Sequence, residues 1–343
     1  MNILAPASEA ARAVSEIAWW MIGGGALIFV GVMLLALLGW RSGPRRLRPV
    51  VWIAGGGIAF PTLVLSALLA WSESRIDGLI WPGAGESPVI GLTGHMWWWE
   101  VRYSDPDSGR IVTGANELRI PVGRAVVVGV TSADVVHSFW VPELGGKIDM
   151  VPGRSARMWL QADRPGVYRG QCAEYCGAQH ARMALHVVAM PVSDYEAWLR
   201  TQARPVEVSG GLGTNEASGT TGTTDAADTA DATDTADTDA ADVRQLRRGR
   251  QAFAELRCGL CHRVREADPV APGPEPVGTL GPDLTHVGSR LHIAAGTLPA
   301  GRESLRAWIE DPQRFKPGVR MPSYAHVEPE TLDALAAWLE RLK

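Results

Sequence analysis

The stretch Cys172–Met183 reads CAEYCGAQHARM and packs two thiols, an imidazole and a thioether into twelve residues. Sulfur together with imidazole is the ligand set that copper prefers. Cys172 and Cys176, four residues apart, can bring both sulfurs to one point, where two thiolates could bridge two metal ions. A second imidazole is needed to complete such a site beside His180, and His137 in HSFWVPE is the obvious supplier.

Two more cysteines, Cys258 and Cys261, stand just before His262 in CGLCH. That is the spacing of covalent c-type haem attachment, in which the thiols add to the haem vinyls and the histidine becomes the proximal ligand. The other readings of four cysteines are two disulfides or one zinc site. The pairs lie about eighty residues apart across a low-complexity segment, which disfavours a single shared site. A sixth iron ligand is expected downstream. Met321 in RMPSY is the sole methionine after Met190, with His286, His292 and His326 as competitors. Methionine opposite histidine raises the potential and suits electron transfer.

The 343 residues allow two or three domains, and the net charge of -4 gives no sign of nucleic-acid binding. Apolar residues concentrate near the start. Ile17–Trp40 and Val50–Trp71 run 24 and 22 residues without a charge, each longer than the ~20 needed to cross a bilayer. Tryptophans at their ends fit the interfacial belt, and neither run has the polar face of a soluble helix. Arg41, Arg45, Arg46 and Arg48 in the short connection place it on the cytoplasmic side, so the N-terminus and everything after Trp71 face outward. No cleaved leader is evident at the start.

Beyond residue 72, segments such as ELRIPVGRAVVVGVTSADVVHSFW are β-branched and punctuated by glycine and proline, which predicts short strands in an all-β sandwich of antiparallel cupredoxin type. RMALHVVAM reads as the strand closing the Cys172–Met183 loop, and SDYEAWLRT as a helix with Ser193 as its cap. Residues 201–243, with aspartate at about every third position of the later part, are predicted to be a disordered acidic linker. Such a linker would raise the effective concentration of one domain near the other. The last hundred residues predict an all-α unit, with helices in RQLRRGRQAFAEL, RESLRAWIEDP and PETLDALAAWLERLK. The predicted divisions are thus 1–71, 72–200, 201–243 and 244–343.

GHMWWWEVRY, HSFWVPELGGKIDMVPGR and CAEYCGAQHARM, with the two apolar runs, resemble cytochrome c oxidase subunit II over roughly residues 15–200; the residues around CGLCH and RMPSY resemble a class I cytochrome c. The combination resembles subunit II of a caa3-type oxidase. The resemblance implies a dinuclear copper A site with His137 and His180 as terminal imidazoles and Cys172 and Cys176 as bridging thiolates. It further implies Met183 as a weak thioether ligand, the Glu174 carbonyl as a ligand, and the Glu174 carboxylate on a magnesium ion shared with subunit I. Trp97, the first of three tryptophans, is implied as the electron entry point. His262 and Met321 are the expected axial ligands of haem c, bound through Cys258 and Cys261. His95 and His186 are expected not to be ligands, His186 being read as a satisfied histidine in an apolar strand. Lys147 and Asp149 are candidates for contact with the partner subunit.

The implied function is a relay. Electrons from an upstream donor, a cytochrome c or a bc1-type complex, reach haem c, then copper A, then haem a of subunit I, where oxygen reduction is coupled to proton translocation. Subunit III is a further expected partner, and the bacterial plasma membrane the expected location, with both soluble domains on the periplasmic side. One departure from the family is that RRLRPVVW, before the second apolar run, lacks the carboxylate that often marks proton entry. The rival readings are the electron-entry subunit of a copper A nitric-oxide reductase, a structural quinol oxidase subunit II, and a nitrous oxide reductase. The full ligand set argues against the second. The two apolar runs and the lack of a large catalytic domain argue against the third.

Overall fold

The computed structural model describes residues 5–41, 48–76, 89–105, 109–206, 231–266 and 280–343. The first helix, α1, runs Glu9–Arg41 and starts well before the apolar stretch. Ser8 explains the early start: its hydroxyl accepts the Ala11 N–H at 3.0 Å, satisfying one of the free donors at a helix N-terminus. The second span opens with a π-helical segment, Val51–Ala59, and continues as α2, Phe60–Ile76. The apolar windows of both spans bury none of their residues against the protein. Their outer faces, Phe29, Leu35, Ile53 and Leu65 among them, are exposed, as a lipid-facing hairpin requires. Trp20 and Trp71 meet edge to face at 6.3 Å, and Arg75 pairs with Glu16, joining the start of the first helix to the end of the second. Arg45 and Arg46 lie outside the described residues.

The N-terminal end of α1 is fastened to the β domain. Ala7 N–H donates to Glu143 O at 2.7 Å, the Ser8 hydroxyl donates to Leu144 O at 2.8 Å, and Arg12 pairs with Asp163. The start of the first helix and the β domain therefore sit at the same end of the hairpin.

The β domain is a sandwich of two five-stranded sheets. The first has the order β3-β2-β1-β5-β8 and the second β4-β10-β9-β6-β7. The first sheet comprises β1 (Val89–His95), β2 (Trp98–Ser104), β3 (Ile111–Ala115), β5 (Val126–Ser132) and β8 (Ala156–Leu160). The second comprises β4 (Glu117–Pro121), β6 (His137–Trp140), β7 (Lys147–Met150), β9 (Gly166–Cys172) and β10 (Ala184–Met190). Strand β5 alternates buried and half-buried residues with a period of two, burying Val126, Val128 and Val130 between the sheets. Trp99, Phe139, Leu118, Ile120 and Leu185 fill the same core, each less than 2% exposed. The sheets are mixed, not purely antiparallel as the strand pattern predicted, because β1 pairs parallel to β5 and β10 parallel to β4. Those pairings join strands distant in sequence, which local periodicity does not encode.

Helix α3 runs Val192–Ala203 with Pro191 at its cap position. Ser193 lies inside the first turn, its hydroxyl on the Asp194 carboxylate, so it is not the cap. Helix α4, Asp231–Glu255, begins thirteen residues before the stretch predicted to start at Arg244, within the segment read as linker. Alanine, the best helix former, recurs through that extension and carries the helix backwards from its amphipathic end. Residues 207–230, most of the predicted linker, lie outside the described residues. The helical unit is completed by a two-residue β pair (β11, His292–Ile293, with β12, Leu298–Pro299), α5 (Arg302–Glu310), α6 (Pro312–Phe315) and α7 (Pro329–Arg341). Helix α7 packs against α4 and α5 through Leu332, Leu335, Ala336 and Trp338, all buried.

Candidate metal centres

Strand pairing builds the first centre. Strands β6 and β9 run antiparallel with Phe139 opposite Cys172, so His137, at the start of β6, comes beside the end of β9. The loop from Cys172 to Met183 then folds over this edge, held by Cys172 N–H to Met183 O at 3.0 Å and Ala173 N–H to Ser138 O at 3.0 Å. The result gathers every donor singled out in the sequence. Cys172 Sγ lies 3.8 Å from Cys176 Sγ and 3.8 Å from His137 Nδ1. Cys176 Sγ lies 3.6 Å from His180 Nδ1 and 3.7 Å from Met183 Sδ. The Glu174 carbonyl is 3.2 Å from Cys172 Sγ. The loop's thiols and His137 are buried, with His137 at 0% exposure.

Asp134 is a functional residue that the sequence reading missed. Its carboxylate is 2.9 Å from His137 Nε2, leaving Nδ1 facing the sulfurs. The same carboxylate accepts Met96 N–H at 2.7 Å and Val135 N–H at 2.8 Å. Burial opposes its charge, but these three hydrogen bonds outweigh burial and hold it below the usual aspartate range. Burial likewise opposes protonation of His137, and hydrogen bonding to Cys172 and Asp134 outweighs it, raising that imidazole. A carboxylate on the far nitrogen of a ligating histidine fixes the tautomer and ring orientation. The signal was present as an aspartate three residues before His137. Gly94 lets the ring lie there: a Cβ at that position would fall 2.8 Å from His137 Cδ2.

The two thiols behave as a pair. The hydrogen bond between the two sulfurs pushes Cys172 far below the ordinary thiol range, and the same bond pushes Cys176 up. A buried site with one thiolate already favoured and soft donors all round fits the copper-type ligand set.

The second centre is a cavity of about 410 Å³ in the helical unit. Cys258, Cys261, His262 and Met321 line it, among Phe253, Leu305 and Leu339. His262 Nδ1 donates to Pro282 O at 2.8 Å, which leaves Nε2 as the free acceptor of the ring. Burial pushes this imidazole below its ordinary pKa, favouring the neutral, ligating form. Gly281 makes room for it, since a Cβ there would lie 2.5 Å from His262 Cε1. An apolar cavity with two thiols and a neutral imidazole in its wall fits a covalently attached haem. The competing histidines are elsewhere: His286 bonds Arg204 O at 3.1 Å, His292 stacks on His186, and His326 lies beside Tyr324.

The three tryptophans separate into different environments. Trp99 is fully buried and sits 6.2 Å from the His137 ring. Trp98 stacks on His95 at 4.3 Å. Trp97 alone reaches both centres: its indole N–H donates to Cys176 O at 2.8 Å, and its side also lines the second cavity.

That double contact exists because the helical unit is seated on the β domain. Gln179 and Arg182, from the Cys172–Met183 loop, donate to Pro317 O at 2.6 Å and Phe315 O at 2.8 Å. Arg119 donates to Ser289 O at 3.2 Å, and Glu117 accepts the Leu291 and His292 N–H groups. Ala184 N–H donates to Ala295 O at 3.1 Å, and Lys316 Nζ donates to Trp97 O at 2.8 Å. Ala294 and Ala295 hold left-handed φ values of 53° and 55°, which costs a non-glycine residue roughly 1–2 kcal/mol each. The Ala295 carbonyl of that strained pair serves the contact, and the Ala294 carbonyl accepts from Lys316 Nζ at 3.4 Å within the helical unit. His186 stacks on His292 at 4.0 Å, with its Nδ1 buried and lacking a hydrogen-bond partner among the described residues. His186 is therefore not the satisfied core histidine that its apolar strand predicted. It belongs to the contact between units, which a single strand's pattern does not disclose. Lys147 and Asp149 are exposed on β7.

Residues 106–190 match the family model of the cytochrome C oxidase subunit II periplasmic domain, and residues 246–343 that of cytochrome c. The cytochrome c oxidase subunit 2 of Alkalihalophilus pseudofirmus is 36% identical over 263 residues, 76% of this chain and 64% of that protein. The subunit 2 of Bacillus sp. strain PS3 is 30% identical over 74% of this chain and 62% of its own length. The chain thus spans less than two thirds of either relative. The solved periplasmic domain of subunit II of Bradyrhizobium japonicum cytochrome oxidase is 32% identical, covers 35% of this chain and 97% of its own, and has a TM-score of 0.32.

Proposed function

We propose that this chain, which joins a cytochrome c oxidase subunit II periplasmic domain to a cytochrome c domain behind two apolar helices, is the electron-entry subunit of a haem–copper oxidase. The observation that carries the reading is the position of Trp97, bonded to the thiol loop on one side and lining the haem-sized cavity on the other.

In this reading Cys172, Cys176, His137 and His180 through Nδ1, Met183 through sulfur and Glu174 through its carbonyl would hold a pair of copper ions, which would supply one-electron transfer there. Cys258 and Cys261 would attach a c-type haem in the cavity they line, and His262 and Met321 would hold its iron. When bound, haem c would take an electron from an upstream cytochrome c or bc1-type complex, and the paired coppers would carry it towards haem a of subunit I, where oxygen is reduced. The residues of this chain do the rest. Asp134 orients His137, and Pro282 O orients His262. The buried sandwich edge excludes water and limits movement of the donors, so a change of charge there needs little rearrangement. Trp97 supplies the short bonded connection between the two sites. The Glu174 carboxylate, a hard oxygen donor, is assigned to magnesium at the contact with subunit I. Lys147 and Asp149 are assigned to the same partner face, and subunit III completes the assembly.

We place both soluble domains on the periplasmic side of the bacterial plasma membrane. The arginines of the loop between the apolar spans favour a cytoplasmic loop, and the fastening of Ala7 and Ser8 to the β domain is consistent with both lying outside. The chain is divided as a two-helix hairpin to about residue 71, a copper domain to about 200, a connecting segment to about 243 and a cytochrome domain thereafter. The optical spectrum of the purified membrane complex tests the assignment: haem c, haem a and copper A bands are expected together, and absence of the copper or haem c band contradicts it.

A further inference from the structure

Lys316 is an ionisable side chain in a place where burial disfavours its charged form. It is 2% exposed, yet no carboxylate bonds it among the described residues. Its ammonium rests on two carbonyls, Trp97 O at 2.8 Å and Ala294 O at 3.4 Å. It lines the haem cavity, five residues before Met321. Trp97 in turn bonds Cys176 O, so two successive hydrogen bonds link the ammonium of one domain to the thiol loop of the other.

Burying a cation without a counter-ion is costly, and the usual outcome is selection for an apolar residue instead. The charges that act on Cys176 explain the exception. The hydrogen bond with Cys172, burial and the charges of Cys172 and Asp134 all push the Cys176 thiol up, and Lys316 acts in the opposite direction. Burial pushes the Lys316 ammonium down from its ordinary range to about 7, and Cys176 acts the other way, favouring the charged form. Arg182, also nearby, is exposed and spends its guanidinium on Phe315 O.

We propose that Lys316 is a positioning residue of the electron relay, through which the seated cytochrome domain delivers a buried positive charge to the thiolate pair of the copper domain. The proposal rests on the copper assignment above and deepens it. Two bridging thiolates concentrate negative charge, and an arriving electron adds to it. A protonated Lys316 in a water-poor junction stabilises that added charge more than it would in solvent, and the added charge in turn favours its protonation. The charge also comes from the other domain, so the copper site gains it only while the two domains are in contact. Affinity for the electron and domain contact are then coupled, and the coupling acts both ways.

The test uses the full chain loaded with copper and haem. Lys316→Gln retains a hydrogen-bond donor but removes the charge, while Lys316→Arg keeps the charge. The midpoint potential of the copper site is read by spectroelectrochemistry, with the haem spectrum checking that the cytochrome domain is folded. Lys316→Gln is expected to make reduction of the copper site at least tenfold less favourable, about 59 mV lower for one electron, with Lys316→Arg near the parent value. An unchanged potential in Lys316→Gln, with copper and haem spectra intact, overturns the inference and leaves the copper assignment standing. A chain that takes up no copper overturns both. Should Lys316→Gln lose its haem spectrum, Lys316→Met decides: a lowered copper potential supports the inference, and a potential equal to the parent's overturns it.

Discussion

The indole N–H of Trp97 and the carbonyl of Cys176 are 2.8 Å apart, and through that bond the strand turn of one sheet touches the thiol loop of the other. The same indole packs on Gly177, whose φ is 108°; a Cβ there would fall 3.1 Å from Trp97 Cζ2, so the turn and the ring both favour glycine. Trp97→Phe keeps an aromatic ring but removes the donor. We expect the copper spectrum to be preserved and haem-to-copper electron transfer to slow at least tenfold, measured by stopped-flow after rapid reduction of the haem. An unchanged rate would remove Trp97 from the path.

The donor set predicts metal stoichiometry. The purified chain should take up two coppers at the Cys172–Met183 loop and turn purple. Metal analysis giving one copper per chain, with the spectrum of a mononuclear blue site, would contradict the dinuclear assignment.

Met321→His should retain covalent haem through Cys258 and Cys261 but lower its potential, since imidazole stabilises ferric iron more than a thioether does. The check is a redox titration together with the methionine–iron charge-transfer band. If band and potential are both unchanged, a different residue occupies the sixth position.

Much of this was legible in the sequence because the donors are local. Cys172, Cys176, His180 and Met183 fall within one loop, and Cys258, Cys261 and His262 within another. The apolar runs were equally plain, since a bilayer demands length without charge. What escaped was non-local. Asp134 gains its role only when the His137 ring turns back on it, and Lys316 only when α6 lies over Trp97. The contact of His186 with His292 depends on β10 standing next to β4 at the open edge of its sheet, a parallel pairing across nearly seventy residues. The extension of α4 back to Asp231 escaped for another reason: an acidic, alanine-rich repeat satisfies the compositional marks of a linker and the propensity of a helix alike.

The seated domains change what the connecting segment is expected to do. A pure tether would leave the cytochrome domain to find Trp97 by diffusion once cut. The carbonyl bonds from Gln179, Arg182 and Lys316, with the Glu117 contacts, predict that it stays in place. After cleavage at a protease site inserted between residues 207 and 230, haem absorbance should co-elute with the copper domain at micromolar concentration. Separate elution would restore the tether as the sole link.

Acid should loosen that contact. Burial, followed by the neighbouring His292, depresses the His186 pKa from 6.5 to about 4. Between those values the free, solvated histidine binds a proton that the seated one does not, so the contact weakens as pH falls from about 6.5 towards 4 and is unaffected by this group above that range. Co-elution of the cleaved chain at a series of pH values is the check, with His186→Phe expected to flatten the profile. A parent profile already flat from pH 7 to 4 would exclude the stack as its origin.

The central claim is that the copper site receives electrons from the haem of its own chain. Its most direct measurement is the rate at which haem c, reduced by a short light pulse in the purified full chain, passes its electron to copper. The account predicts a fast first-order step whose rate is the same at every protein concentration. A rate that rises in proportion to protein concentration, or a haem that stays reduced beside oxidised copper, would contradict it.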